Sequence, residues 1–358
     1  MPRRSRLAGV TLEKPAKPVL SLRERLFASA DTKKLADIID AGIREIEEGL
    51  PAELHFGDDL ADTVGRYLLD AGGKRMRPML ALLMAQFGEG TTPDVITASR
   101  AIEMTHLASL YHDDVMDEAP LRRGVESAHM RWSNSVAILT GDLLFSRAST
   151  LMSRLGVEAM SLQSQTFERL CVGQLHETTG PAAGVDPVDH YFSVLADKTG
   201  SLISAAARAG IRYSGAPAEF EEPARIFGEK IGIAFQLADD VIDLSPSSDA
   251  TGKKAGTDLK AGVPTLPTLL LERVVDTDPE AASLLTRLRD DAQSTDAAAE
   301  ADLPEAVRAL YDHPVTQTTR DEALRFAREA MEALAPLPDN AAKRALGMFA
   351  DHVVSRTG

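Results

Sequence analysis

The chain has a single cysteine, Cys171, so no internal disulfide can form, which fits a reducing compartment. It lacks a surplus of basic residues: 39 Lys and Arg stand against 54 Asp and Glu, a net charge of −15. General binding to nucleic acid neutralises phosphates with excess Lys and Arg, and this balance argues against it. Long apolar runs are missing too. The stretch Met79 to Phe87 is far short of the ~20 residues a bilayer span needs. Arg3, Arg4 and Arg6 are followed by no apolar segment of the kind a secretory signal carries. No repeat of 20–50 residues, Walker loop, GxGxxG, HExxH or GxSxG occurs. These absences describe an acidic cytoplasmic protein with no integral membrane segment.

What is present is helical pattern. At 358 residues, 44% of them hydrophobic, the chain is long enough for one large domain with a sizeable core. Residues 1–20 carry five Lys and Arg and three prolines without periodicity, and are expected to be a disordered tail. Residues 21–358 are expected to form one domain. Leu35, Ile38, Ile39, Ile43 and Ile46 keep a 3.6-residue beat. Similar stretches run over 94–117, 137–155, 157–178, 191–214, 221–244, 265–275 and 320–334. No convincing alternation of apolar and polar residues marks a strand, so the fold class is all-α. The polar stretch 245–263 is too long for a simple connector, and 293–302 reads as a surface excursion.

Two aspartate clusters stand out, Asp113-Asp114-Val115-Met116-Asp117 and Asp239-Asp240-Val241-Ile242-Asp243, each ending an apolar helical segment. At about 100° per residue, the three carboxylates of each cluster share an arc of roughly 100°. Like charges repel there, and a helix C-terminus disfavours anions. Two such clusters call for a cation between them. All-oxygen ligands without a His–Cys set point to a hard ion rather than zinc. Magnesium takes one or two carboxylates and completes its shell with water and substrate phosphates, so the pair suits several Mg²⁺ ions gripping a diphosphate.

Cations supply the other half. Gly72-Gly73-Lys74-Arg75-Met76-Arg77-Pro78 gathers three in a Gly-opened turn, and Arg122-Arg123 follow the first cluster after Pro120. Lys198-Thr199 and Gly252-Lys253-Lys254 add more. In so acidic a chain, basic groups beside acidic motifs mark anion sites, because Arg forks match phosphate oxygens. His106, seven residues before Asp113, and Gln236, three before Asp239, lie on the carboxylate arcs.

The order GGKRMRP, HDDVMDEAPLRRG, DKTG, FQLADDVID and GKKAGTDLKAGVPTLP resembles the trans-isoprenyl diphosphate synthases, the polyprenyl synthetases, over about residues 40–275. The resemblance implies a bundle of long antiparallel helices around a deep cavity, usually a homodimer. It implies that Asp113, Asp114, Asp117, Asp239 and Asp243 bind Mg²⁺ on an allylic diphosphate, with Asp240 in the same catalytic cluster. Arg122, Lys198, Thr199, Gln236 and Lys253 would contact that diphosphate; Lys74, Arg77, His106 and Arg123 would hold isopentenyl diphosphate. The implied reaction ionises the allylic C–O bond, adds the isopentenyl double bond to the cation and loses a proton. Val263 stands where many relatives have a basic residue. Before Asp113, the residues Ser109, Ala108, Thr105 and Ala101 are small, as in long-chain synthases; products of about seven to ten units are expected if each helical turn of about 5.4 Å accommodates one unit. Release of so apolar a product implies transient contact with a membrane. A short-chain synthase, a cyclase or a non-catalytic partner subunit are the rival readings; the intact clusters and the GGKRMRP turn speak against the last two.

Overall fold

In the computed structural model the described residues are 30–245, 255–293 and 297–355, so the 1–20 tail and Lys253 lie outside them. The all-α expectation holds. The first helix, α1 (Ala30–Glu53), buries Leu35, Ile39, Ile46 and Leu50 and turns the intervening charges outward. A short α2 (Asp59–Asp70) follows, started by the Asp58 side chain, which accepts the N–H groups of Leu60 and Ala61. Next comes α3 (Met76–Ala85), in which every residue from Pro78 to Ala85 is buried. A helix apolar all round belongs in the centre of a bundle. Against it lie α4 (Pro93–Met116) and α9 (Ser201–Tyr213).

Beyond α4, a two-residue hairpin pairs β1 (Leu121–Arg122) with β2 (Val125–Glu126). Both turn residues, Arg123 and Gly124, have positive φ, 53° and 79°, the geometry that matches strand twist. A single turn, α5 (Ala128–Arg131), leads into α6 (Asn134–Arg154), which packs along α4. After α7 (Val157–Thr179) and α8 (Pro187–Leu195), the stretch expected as one helix over 191–214 is interrupted by a π turn at Ala196–Gly200 before α9 begins. The long α10 (Glu221–Asp243) packs on α9 and on α15 (Pro314–Ala333).

The polar stretch 245–263 contains one described turn of helix, α11 (Thr257–Ala261). Four further helices are α12 (Leu266–Val274), α13 (Pro279–Gln293), α14 (Ala297–Asp312) and α16 (Ala341–Ser355). Helix resumes at Ala297, so 293–302 is not wholly an excursion. A large core fills the bundle, and a smaller one, with Leu244, Leu271, Leu288, Val307 and Leu310, lies under α12 to α14. No helix among the described residues is long and apolar enough to cross a membrane.

One close backbone approach in the bundle is between α10 and the chain around the π turn. A Cβ on Gly232 would lie 2.5 Å from Cα of Gly200, and one on Gly228 would lie 2.5 Å from Cα of Ser204. Backbone cannot give way there as a side-chain tip can. Gly232→Ala is expected to destabilise the protein by about 1–3 kcal/mol through overpacking. Thermal unfolding checks this; an unchanged midpoint would show that the backbones are not in contact.

Candidate active site

A cavity of about 2170 Å³ opens between the ends of α4 and α10. Its wall carries Asp113, Asp117 and Asp240 from the acidic clusters, and Lys74, Arg77, His106, Arg122, Arg123, Lys198, Thr199 and Gln236 from the basic and polar set. Residues scattered over more than 160 positions of sequence thus meet on one surface. Asp239 and Asp243 are half-buried at the end of α10.

Within each cluster the middle carboxylate is set apart. Asp114 is fully buried, and its Oδ1 accepts from Arg122 Nε at 2.5 Å. Its Oδ2 is buried without a hydrogen-bond partner. Burial raises its pKa and Arg122 opposes the shift. Asp240 is likewise buried; its Oδ2 accepts from the Tyr191 hydroxyl and, at 3.0 Å, from the Leu266 N–H at the start of α12. Burial pushes its carboxyl up to about 8 despite those two bonds. The inference that each trio needs a cation is therefore modified: an arginine answers one middle charge, and burial suppresses the other. Asp113 stays half-buried and Asp117 exposed. Burial raises Asp113 to about 6, with Lys198 and Arg122 pulling it down and Asp117 pushing it up. The Asp243 carboxylate accepts the N–H groups of Thr257 and Asp258 at 3.2 and 3.1 Å, tying α11 to the end of α10.

Among the described residues, no three carboxylate, imidazole or thiolate groups form a ligand cage. A cation at this cavity would rest on one or two carboxylates at a time and take its remaining oxygens from elsewhere, which is magnesium's habit. The orphaned Oδ2 of Asp114, beside Asp113 and Asp117, fits such an all-oxygen donor set.

The basic groups divide in the same way. Arg75, in the left-handed region at φ 50°, is buried and donates to Glu47 and Glu103, each at 3.1 Å. It is a frame residue, whereas Lys74 is exposed at the cavity. Gly73 is needed here, since a Cβ would lie 2.4 Å from Arg75 Nη1. Arg123 Nη1 donates to the carbonyls of Leu68, at 2.6 Å, and Gly72, fastening the hairpin to the GGKRMRP turn. Arg77 Nε is buried and unpartnered. Burial, then Arg77, Arg123, Arg122 and Arg75, hold the His106 imidazole well below its ordinary pKa, so it is neutral. Lys198, on the π turn, is ion-paired with Glu177. Val263 lines the cavity, and Lys260 lies exposed three residues before it on α11.

The small face of α4 departs from expectation. Ala101, Thr105 and Ala108 are fully buried and face away from the cavity wall; of the four, only Ser109 lines it. Thr105 bonds instead to Gln163 of α7 at 2.8 Å. Small residues there serve close packing of α4 on its neighbours. Glu103, Glu177 and Tyr191 were not foreseen. Glu103 had a signal: it precedes His106 by three residues, on the same helix face within an apolar run.

The match to relatives agrees with this geometry. Residues 58–306 fit the polyprenyl synthetase family model. The chain belongs to the polyprenyl synthetase family. It is 41% identical over 340 residues to the nonaprenyl diphosphate synthase of Mycobacterium tuberculosis, covering 95% of this chain and 97% of that one. Its fold superposes on geranylgeranyl pyrophosphate synthase of Corynebacterium glutamicum, crystallised with calcium and isoprenyl diphosphate, with a TM-score of 0.78 and 39% identity, over 93% of this chain and 99% of that one. A decaprenyl diphosphate synthase from Rhodobacter capsulatus gives a TM-score of 0.79 at 29% identity, over 91% and 99%.

Asp240 tests the division within the synthetase clusters. Asp240→Ala leaves the Tyr191 hydroxyl and the Leu266 N–H without an acceptor and should lose about 1–3 kcal/mol, while Asp240→Asn keeps one. Without added divalent cation, the folded wild type retains a proton that the unfolded chain releases above 3.8, so this group's stabilisation falls as pH rises towards about 8. Asp240→Asn should remove that fall. Urea unfolding across the range checks both; equal stability of Asp240→Ala and wild type would refute the assignment.

Proposed function

We propose that this synthetase is a Mg²⁺-dependent prenyltransferase of the cytoplasm. It condenses isopentenyl diphosphate head-to-tail with an allylic diphosphate and makes a long all-trans polyprenyl diphosphate of about seven to ten units, a precursor of quinone side chains. The observation that carries the reading is that two acidic clusters and two separate groups of cations face one cavity with an apolar interior. The 41% identity to a nonaprenyl synthase supports the length.

In this reading Asp113, Asp117, Asp239 and Asp243, with the buried, unpartnered Oδ2 of Asp114, hold the cations. Bound there, Mg²⁺ supplies charge neutralisation for the departing diphosphate. Lys198, Arg122, Thr199 and Gln236 receive the allylic diphosphate; Lys253 lies outside the described residues and keeps its expected part in that set. Lys74, Arg77, Arg123 and neutral His106 hold the isopentenyl diphosphate. The allylic C–O bond breaks with its electron pair going to diphosphate, the isopentenyl double bond forms the new C–C bond, and a proton leaves the adjacent carbon. Fixed guanidinium and ammonium groups meet the charge that develops on the leaving group. Asp240 acts as a positioning residue through Tyr191 and α12.

A homodimer is part of the proposal. Ile138, Leu139 and Leu143 on α6 and Val172 and Leu175 on the neighbouring α7 are exposed apolar residues suited to a second copy. Product release through transient membrane contact belongs to it as well. A short-chain product has one observation in its favour, the ring pair Phe145–Phe167 on the cavity wall.

Asp113→Ala or Asp239→Ala should abolish condensation with Mg²⁺ while the circular-dichroism spectrum stays helical; near-normal turnover in either would break the metal assignment. The two diphosphate sites separate by substrate. Lys74→Ala or Arg77→Ala should weaken isopentenyl diphosphate, and Lys198→Ala the allylic primer, each by about ten- to a hundredfold for a lost charge-assisted contact. Steady-state titration of each substrate tests this, and equal effects on both would undo the division.

A further inference from the structure

The π turn at Ala196–Gly200 puts Lys198 and Thr199 on the cavity wall. An α-helix closes itself with bonds from each N–H to the carbonyl four residues back. A π turn gives that pattern up, so side chains and neighbouring helices decide whether it persists. Two neighbours press on it through glycines. A Cβ on Gly173 of α7 would lie 2.6 Å from the Lys198 nitrogen, and one on Gly232 of α10 would lie 2.5 Å from Cα of Gly200. About one turn before each glycine stands a charged residue, Arg169 on α7 and Glu229 on α10. Arg169 joins the three elements. Its Nε donates to Asp197 Oδ1 at 2.6 Å, its Nη2 to the Ala196 carbonyl at 3.2 Å and its Nη1 to Glu229 Oε2 at 2.8 Å. On the other side of Glu229, Arg225 Nη1 lies 3.5 Å from the same oxygen, so two guanidinium groups answer two carboxylates. Arg169, Asp197 and Glu229 are half-buried, and none of them lines the cavity.

We infer that Arg169 is a positioning residue for Lys198: it fastens the first two residues of the π turn to α10 and so sets where the ammonium group meets the allylic diphosphate. The inference rests on the condensation activity proposed above. α7 then acts on Lys198 twice. Glu177, about two turns beyond Arg169, pairs with the ammonium itself, whereas Arg169 holds the backbone that carries it. An isolated ion pair near the surface contributes little. Here one planar group meets three acceptors, one of them main chain, and a lysine has no fork to reproduce that. The cations assigned to isopentenyl diphosphate stand on other elements, namely the GGKRMRP turn, α3, α4 and the hairpin. Loss of the clamp should therefore be felt by one substrate and not the other.

The test uses the full chain with Mg²⁺, geranyl diphosphate and labelled isopentenyl diphosphate, each substrate titrated at saturation of the other. Arg169→Met should raise KM for the allylic diphosphate by about tenfold, the scale of one charge-assisted contact, and leave KM for isopentenyl diphosphate within about twofold. Arg169→Lys should show the same split, and decides the matter if Arg169→Met fails to fold. In a Lys198→Ala background either Arg169 change should add less than about threefold, because two residues that act through one contact are not additive. A purely structural role would weaken both substrates alike, or persist undiminished without Lys198; either result would overturn the clamp. An unchanged allylic KM in a folded Arg169 variant would do the same. Absence of labelled product from the wild type would overturn the condensation reading itself, and the positioning role with it.

Discussion

Like-charged carboxylates at the C-terminal ends of two helices are the constraint to which the rest of the site answers. Helix ends already carry partial negative charge, and each trio adds its own repulsion. The fold meets this by withdrawing one carboxylate from each trio. Asp114 is withdrawn towards Arg122, and that pair needs the hairpin after α4 to bring the guanidinium back. Asp240 is withdrawn towards Tyr191 and the first N–H of α12, so α8, α10 and α12 converge on one buried carboxyl. Asp113 and Asp117 of the first cluster remain on the cavity wall, and Asp239 and Asp243 of the second stay half-buried at the end of α10. The same local motif is solved by two different means.

The opposite problem arises among the arginines, and Glu103 bears on it. Its 2% exposed carboxylate accepts from Arg75 and is the chief attractive charge for both Arg77 and Arg123. A buried charge is tolerable only with such partners. With Arg75 and Arg123 tied to fixed acceptors, Arg77 reaches the cavity with its Nε unpartnered, and His106 stays neutral among these guanidinium groups. Rigid placement of this kind is what lets fixed charges act on a ligand without reorganising.

Much of this was legible in the sequence because it is local. The aspartate trios, the GGKRMRP turn and the helical beat of 94–117 and 221–244 depend on spacing within one element, and they appear where spacing puts them. Partners that meet only through tertiary packing carry no such trace: Glu177 with Lys198, Tyr191 with Asp240, Gln163 with Thr105. The small stripe on α4 shows the limit of a helical wheel. It gives the angle between Ala108 and Asp113 correctly but not which neighbour covers that angle; Thr105 on the stripe is tied to Gln163 of α7, and of the four small residues Ser109 alone lines the cavity. The π turn was invisible for a similar reason, since Ala196–Gly200 has ordinary helix-compatible residues and is set by what packs around it.

That turn has a consequence for changes of length. A π turn is one extra residue held in a helix, often at a functional site. Here the loosened carbonyl of Ala196 accepts from Arg169 Nη2 at 3.2 Å, and that of Asp197 from Ser201 Oγ at 2.5 Å. Removing any one residue between 196 and 200 would restore a continuous α-helix, with no gap and every backbone bond made. Because the π turn absorbs its extra residue, α8 and α9 would keep close to their relative rotation, and what would change is which side chains the turn presents. The number of residues in the turn is therefore tied to the placement of Lys198 and Thr199 on the cavity wall rather than to the continuity of the helix.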